Sequence, residues 1–301
     1  YNGTINIDKT STVYMMQVTT MGYINVAGTL NATWQTNVYG NGMITMTNGA
    51  TFNTAALQLT GKDYSGRDNT DAERVGMPAT IVVDGSNLTV GKVTSTNGAD
   101  YSYNSSKGIN IGTIDGKNAV LDIKNGANVN FFMANGQTAN IGAGGTVNID
   151  GALSVACRGE GNVTLVNNGA INLTTEKATL KAQEGLKNIA TTLPGYFVQY
   201  ADGVYSVCGE IAFVDGEFTE YTNAADMLIK TLTYKRKFST SWTPFYVPFA
   251  VPVSELAEQF DIAYINGVRR RDGNCDGVLD EDFTMEIIFI HCESKGVDGS
   301  G

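Results

Sequence analysis

Residues 120–130 read VLDIKNGANVN. Leu121 and Ile123 alternate with Asp122 and Lys124. After Asn125-Gly126 the alternation resumes, with Ala127 and Val129 between Asn128 and Asn130. A period of two places one set of side chains on each face of a strand. Gly, and to a lesser degree Asn, adopts the positive φ that a tight change of direction needs. The phrase therefore predicts two short half-buried strands with a corner between them.

The same phrase recurs outward in both directions. It appears as INVAGTLNA from Ile24, ITMTNGATFN from Ile44, IVVDGSNLTV from Ile81, VNIDGALSV from Val147 and VTLVNNGAINL from Val163. Its turn glycines are Gly28, Gly49, Gly85, Gly126, Gly151 and Gly169, at spacings of 21, 36, 41, 25 and 18. If the 36 and the 41 each span two coils, seven coils of about 20 residues result, with Leu57-Gln58-Leu59 and Ile109-Asn110-Ile111 filling the gaps. One coil cannot bury its own apolar positions, but stacked coils bury them in continuous columns. The inward candidates are Ile24, Val26, Ile44, Met46, Ile81, Val83, Leu121, Ile123, Val147, Ile149, Val163 and Leu165. Asn at the turns is expected to stack as an amide ladder, since each amide both donates and accepts.

The pattern predicts an all-β chain: a parallel β-helix (solenoid) over residues 1–208, then a small β-sandwich-like module over 209–292 and a tail over 293–301. The competing fold is an antiparallel sandwich, because Asn-Gly between alternating runs is also a hairpin signal. Sandwiches usually turn every 8–12 residues, and the phrases here recur at about 20. In the second module, Leu232–Phe238, Phe245–Phe249, Phe260–Val268 and Met285–His291 read as strands. Ala224–Lys230 reads as a short helix or loop, and ELAEQF as a helix capped by Ser254.

Composition limits the partners. Only 17% of the 301 residues are charged, and the formal net charge is -10. An acidic surface repels phosphate backbones, so nucleic acid is not expected as a partner. No apolar run reaches the roughly 18 residues of a transmembrane segment. No leader sequence opens the chain, which suggests that the natural N-terminus lies elsewhere. Cys157, Cys208, Cys275 and Cys292 match no zinc spacing and read as isolated thiols, with two disulfides as the alternative.

Three stretches carry candidate chemistry. The insertion at residues 61–78, GKDYSGRDNTDAERVGMP, brings Arg67, Asp68, Asp71, Glu73 and Arg74 into one loop. Loops leaving a solenoid often bind partners, and the alternative is a solvated loop. Trp34 and Tyr39, expected in a turn, are candidate sugar-stacking residues. Asp272, Asn274, Asp276 and Asp280, with Gly277 and the Val278 carbonyl, follow the opening of an EF-hand-type loop and make Ca²⁺ the candidate ion. The twelfth position is Phe283 rather than Glu, so an acidic turn is the competing reading. No catalytic set is identified: His291 stands alone, and Asp84, Asp115, Asp122 and Asp150 read as turn formers.

The repeated V-x-I-x-x-G-A-x-x-V phrasing resembles the degenerate right-handed β-helix regions of bacterial surface and autotransporter-type proteins. Residues 193–207, LPGYFVQYADGVYSV, resemble the closing segment of such regions in Bacteroides-type surface proteins. Y-K-R-K-F-x4-W-T-P-F-Y-V-P-F-A from Tyr234, FDIAYINGVRRRD from Phe260, DGNCDGVLDED from Asp272 and MEIIFI from Met285 resemble a module of surface proteins of Bacteroides and related gut bacteria. After Ile290 the chain departs from that module, which suggests a truncated sheet. The resemblance implies an extracellular or outer-membrane surface location. It further implies a structural or adhesin-like protein whose solenoid surface contacts host or bacterial glycans or surface proteins. The alternative is a carbohydrate-active β-helix enzyme, a polysaccharide lyase or glycoside hydrolase, which requires two carboxylates, or a carboxylate and an Arg, converging in a groove.

Overall fold

A computed structural model describes residues 3–60, 77–94, 96, 100–101, 108–113, 118–217, 229–237, 241, 244, 252–258, 260–272 and 283–293. The described chain is nearly all β, and one sheet assembly contains 19 strands. The chain separates into two compact units, Tyr1–Arg236 and Lys237–Gly301. No helix among the described residues is long and apolar enough to cross a membrane.

The first unit is built from three parallel ladders, called here the first, second and third faces. On the first face Thr4–Ile7 pairs with Tyr23–Val26, which pairs with Met43–Met46, which pairs with Ala79–Asp84. The ladder continues through the opening halves of Ala119–Met133 and Gly145–Cys157 to Ala170–Leu173 and Ile189–Thr191. The second face stacks the opening halves of Thr12–Thr20 and Thr29–Val38, then Thr51–Thr54, Asn87–Val90, the closing halves of the two long strands, and Thr179–Lys181. The third face runs from the closing halves of Thr12–Thr20 and Thr29–Val38 through Leu57–Leu59, Ile109–Ile111 and Thr138–Ile141 to Thr164–Asn167. Each rung thus visits three faces and returns in register over its predecessor, in a solenoid-like stack.

Alternation decides what the stack encloses. Ile24, Ile44, Ile81, Leu121, Val147 and Ile171 are successive partners on the first face, and all are buried. Burying each such side chain contributes about 1.5–3 kcal/mol. Eleven of the twelve expected inward residues are buried, and Val163 is partly so. Two of the polar groups that enter are paired: Thr36 Oγ1 donates to Thr54 Oγ1 at 2.9 Å, and Thr54 Oγ1 donates to the Ala56 carbonyl at 3.0 Å.

The coil count differs from the sequence expectation. Ile44 pairs directly with Ile81, and Ile81 with Leu121, so the long gaps each hold one rung and not two. Leu57–Leu59 and Ile109–Ile111 are not extra coils. They are adjacent rungs of the third face, paired Leu57 to Ile109. The extra length lies between strands, at residues 60–78 and 91–108, and the second of these carries the short antiparallel pair Val93–Thr94 and Asp100–Tyr101. Gly169 also belongs elsewhere. It joins the third face to the first, whereas Gly28, Gly49, Gly85, Gly126 and Gly151 join the first to the second.

The far end of the stack is closed on its second and third faces. Phe197–Ala201 and Val204–Cys208 form a hairpin about Asp202-Gly203, both at positive φ, and its second strand lies antiparallel against Thr179–Lys181. Gln183 closes the third face by imitating a strand: its amide accepts from Leu165 N–H at 3.1 Å and donates to the Leu165 carbonyl at 2.6 Å. A parallel pair, Glu210–Val214 with Thr231–Lys235, follows within the same unit.

The second unit contains the helix Val253–Ala257 and an antiparallel pair, Ile262–Asp272 with Phe283–Glu293. Ser254 is not the helix cap. Pro252 occupies that position without a side-chain hydrogen bond, and Ser254 lies inside the first turn. Proline's fixed φ suits a helix start, and the helix begins at Val253, two residues earlier than a Ser254 cap would place it. The expected elements at Ala224–Lys230 and Phe245–Phe249 lie wholly or mostly outside the described residues.

Candidate functional site

The corner joining the first and second faces is the chemically richest part of the described surface. Four successive rungs place Asn48-Gly49, Asp84-Gly85, Asn125-Gly126 and Asp150-Gly151 there. The backbone ladder persists through the corner: Gly49 N–H donates to the Gly85 carbonyl, and Gly85 N–H to the Lys124 carbonyl, each at 3.0 Å. Gly85, at φ +52°, lies beneath the Asn48 side chain, where a Cβ would sit 3.1 Å from Asn48 Oδ1. Only glycine meets both conditions without strain.

Side chains knit the rungs together. Asn125 Nδ2 donates to Asp84 Oδ1 at 2.5 Å on one side, and Asn125 N–H donates to Asp150 Oδ2 at 3.1 Å on the other. Asn128 Nδ2 donates to Asn87 Oδ1 at 3.3 Å. Buried Ser86 donates to the Thr47 carbonyl at 2.5 Å and has the Asp84 carbonyl at 2.6 Å. Between these groups lies an open groove of about 440 Å³, lined by Asn48, Asp84–Asn87, Asn125, Gly126 and Asn128. Beside it, Lys124 Nζ meets Asp122 Oδ2 at 2.9 Å. The hydrogen bond to Asp122 and that carboxylate's charge, aided by Asp84 and opposed by burial, raise the Lys124 pKa above its ordinary value. One fixed cation thus stands near the groove.

Amide ladders extend this chemistry over the outward faces. Asn25 donates to Asn6 at 2.8 Å, Asn53 to Asn31 at 2.8 Å, Asn140 to Asn110 at 3.2 Å and Asn172 to Asn148 at 2.9 Å. The expectation of stacked amides holds, but their place differs. These pairs sit within strands, because outward strand positions on neighbouring rungs come into register, while the corner alternates Asn with Asp.

The residues expected to bind are distributed differently. Trp34 is not in a turn: it lies within the strand Thr29–Val38, where the pairing register shifts between the two halves, and it is exposed. Strand pairing on both sides of the shift overrides the turn reading. Tyr39 follows that strand directly and is half-buried, its N–H bonded to the Thr20 carbonyl at 3.0 Å. Neither lines the groove. Arg67, Asp68, Asp71, Glu73 and Arg74 lie outside the described residues, as do Asn274, Asp276, Val278 and Asp280 of the candidate Ca²⁺ loop; Asp272 ends the strand Ile262–Asp272. Among the described residues no group of three or more His, Cys, Asp or Glu is placed to hold a metal ion. Cys157 and Cys208 are free thiols. The groove lining includes one carboxylate, Asp84.

Sequence reading missed Asn48, Ser86, Asn87, Asn125 and Asn128 as a group. The signal was present in the aligned phrases NGA, DGS, NGA and DGA at residues 48, 84, 125 and 150. The residue before each glycine forms one column once the rungs are stacked.

Fold and surface together define a nearly all-β, solenoid-like protein with a polar corner groove. No protein-family model, curated protein or solved structure matches the chain.

Proposed function

We propose that this chain is a secreted or cell-surface structural protein of adhesin-like type, whose right-handed parallel β-helix presents its groove and outer faces to neutral glycans. The handedness follows from a general rule, since connections between parallel strands of one sheet are right-handed in nearly all cases. The observation that carries the functional reading is the groove lining: Asn, Asp, Ser and Gly, held in place by bonds between rungs. Sugar hydroxyls both donate and accept, and primary amides offer both roles at one site. Amides fixed by neighbouring rungs are preorganised, so less ordering entropy opposes binding.

The net charge of -10 and Asp84 in the lining disfavour sulfated or strongly acidic chains. Each contact is shallow, so affinity would come from several rungs binding one polymer at once. A glycan array followed by calorimetry on the best neutral polysaccharide tests this reading. The double substitution Asn125→Ala with Asn128→Ala should weaken binding at least tenfold while preserving the fold. Absence of binding across the array, or binding indifferent to those substitutions, would remove the glycan contact from the account.

A further inference from the structure

The corner groove runs along the stack axis, across successive rungs. Asn48 follows the strand Met43–Met46, Asp84 and Asn87 belong to the next rung, and Asn125 and Asn128 to the one after it. Three rungs stacked at about 4.8 Å make a row about 10 Å long.

Each of these rungs brings an amide with unused hydrogen-bonding capacity. Asn125 and Asn128 donate through Nδ2 to Asp84 and Asn87, which leaves both of their Oδ1 atoms without a partner among the described residues. Asn87 accepts at Oδ1, and its own Nδ2 has no partner there; the Asn48 amide has none at either atom. Donors and acceptors therefore recur at the rung spacing. Neither end of the row is walled. The same corner on the rungs before and after carries Ala27-Gly28-Thr29 and Asp150-Gly151-Ala152, none of them bulky. A chain lying along the axis can pass through, so the groove suits the interior of a polymer and not its terminus. The lining holds no aromatic ring, so contact falls to hydroxyls and not to a stacked sugar face.

We propose, resting on the glycan reading above, that the ligand is an extended, β-linked neutral hexose polymer lying along the stack axis, with about one sugar per rung. Successive sugars of such a chain advance by a step close to the rung spacing, so hydroxyls of successive sugars meet successive amides. Alternate sugars face opposite ways, and the match survives because an amide both donates and accepts. An α-linked chain of the same sugar coils, and its hydroxyls leave the row after the first contact. A single sugar reaches one rung and competes with water there. Affinity accumulates as further rungs join the same chain.

Calorimetric titration of the 301-residue chain with cello-, manno- and malto-oligosaccharides, from dimer to hexamer, tests this. Affinity for the cello or manno series should rise about tenfold from dimer to tetramer and then level, as the three rungs fill. The coiled malto series should bind about tenfold more weakly at equal length. Asn48→Ala removes one rung's amide and should bring the plateau to a shorter chain. Its side chain has no hydrogen bond to lose, so the thermal melt should be unchanged. Affinity independent of length, equal binding of the malto series, or a plateau unmoved by Asn48→Ala would overturn the proposal. Failure of both extended series would overturn it too. If another neutral glycan then still binds in a manner sensitive to Asn125→Ala with Asn128→Ala, the glycan reading stands and only the extended polymer falls. Absence of all glycan binding removes both.

Discussion

Tyr205 shows how one side chain closes the stack. Its ring is buried against Tyr200, with centroids 4.6 Å apart. Its hydroxyl donates to the Gln183 carbonyl at 3.1 Å and accepts from Leu186 N–H at 2.9 Å. Burial raises its pKa above the ordinary 10.0, opposed in part by the Leu186 hydrogen bond. The folded chain then holds this proton more tightly than the unfolded chain does. The associated stability is complete below pH 10.0 and is lost as pH rises through that value towards the folded pKa. Tyr205→Phe should cost about 1–2 kcal/mol at neutral pH, from the unpaired Leu186 N–H and Gln183 carbonyl. It should also flatten the alkaline fall in Tm between pH 9 and 11.5. Thermal melts of both proteins across that range check the prediction, and an unchanged alkaline limb would contradict it. At this scale the aliphatic columns were legible in sequence, because alternation alone sorts Leu121 and Ile123 inward from Asp122 and Lys124. The Asn125–Asp84 contact was not, because it joins residues 41 apart and requires the register between rungs.

Corners are the elements that set how closely rungs approach. Between the third and first faces Gly112, at φ +59°, lies against the next rung, and a Cβ there would sit 2.1 Å from the Gly145 nitrogen. A Cβ on Gly169 would come within 2.2 Å of the Gly145 carbonyl oxygen. Gly126, at φ +69°, has open space around it. Gly126→Ala should therefore cost only the left-handed backbone penalty, about 1–2 kcal/mol. Gly112→Ala adds a backbone collision and should cost about 3 kcal/mol or more. Denaturant titration of both variants tests the ranking, and equal losses would contradict the close approach at Gly112. The Gly142-Ala143-Gly144-Gly145 run joins Thr138–Ile141 to Gly145–Cys157 as one of these corners. Corners were legible as Asn-Gly and Asp-Gly phrases, but their assignment to a face was not. Leu57–Leu59 and Ile109–Ile111 carry the same apolar-polar-apolar signature on the third face that the recurring phrases carry on the first. Added length between strands doubled the apparent spacing, so the third face looked like additional coils.

In the first unit, a stack in which each rung touches its neighbours distributes stability along its axis. The unit's core is continuous from Ile7 to Tyr205, and its antiparallel pairings among the described residues are confined to the closing hairpin and the Val93–Thr94 insertion pair. The parallel stack was legible because recurrence near 20 residues suits rungs better than hairpins. Spacing between rungs gives the most direct test of the whole account. Asn6, Asn25, Thr45, Val82, Asp122, Asn148 and Asn172 are successive partners on the first face. Paired strands lie about 4.8 Å apart, so Asn6 and Asn172, six steps apart, should be separated by about 29 Å. Spin labels at Asn6 paired in turn with Thr45, Asp122 and Asn172, in a chain lacking its native cysteines and diluted with unlabelled protein, measure this by electron–electron resonance. The account predicts distances that grow by about 4.8 Å per rung, whatever the number of intervening residues. Distances that fail to rise in the order Thr45, Asp122, Asn172 would contradict it.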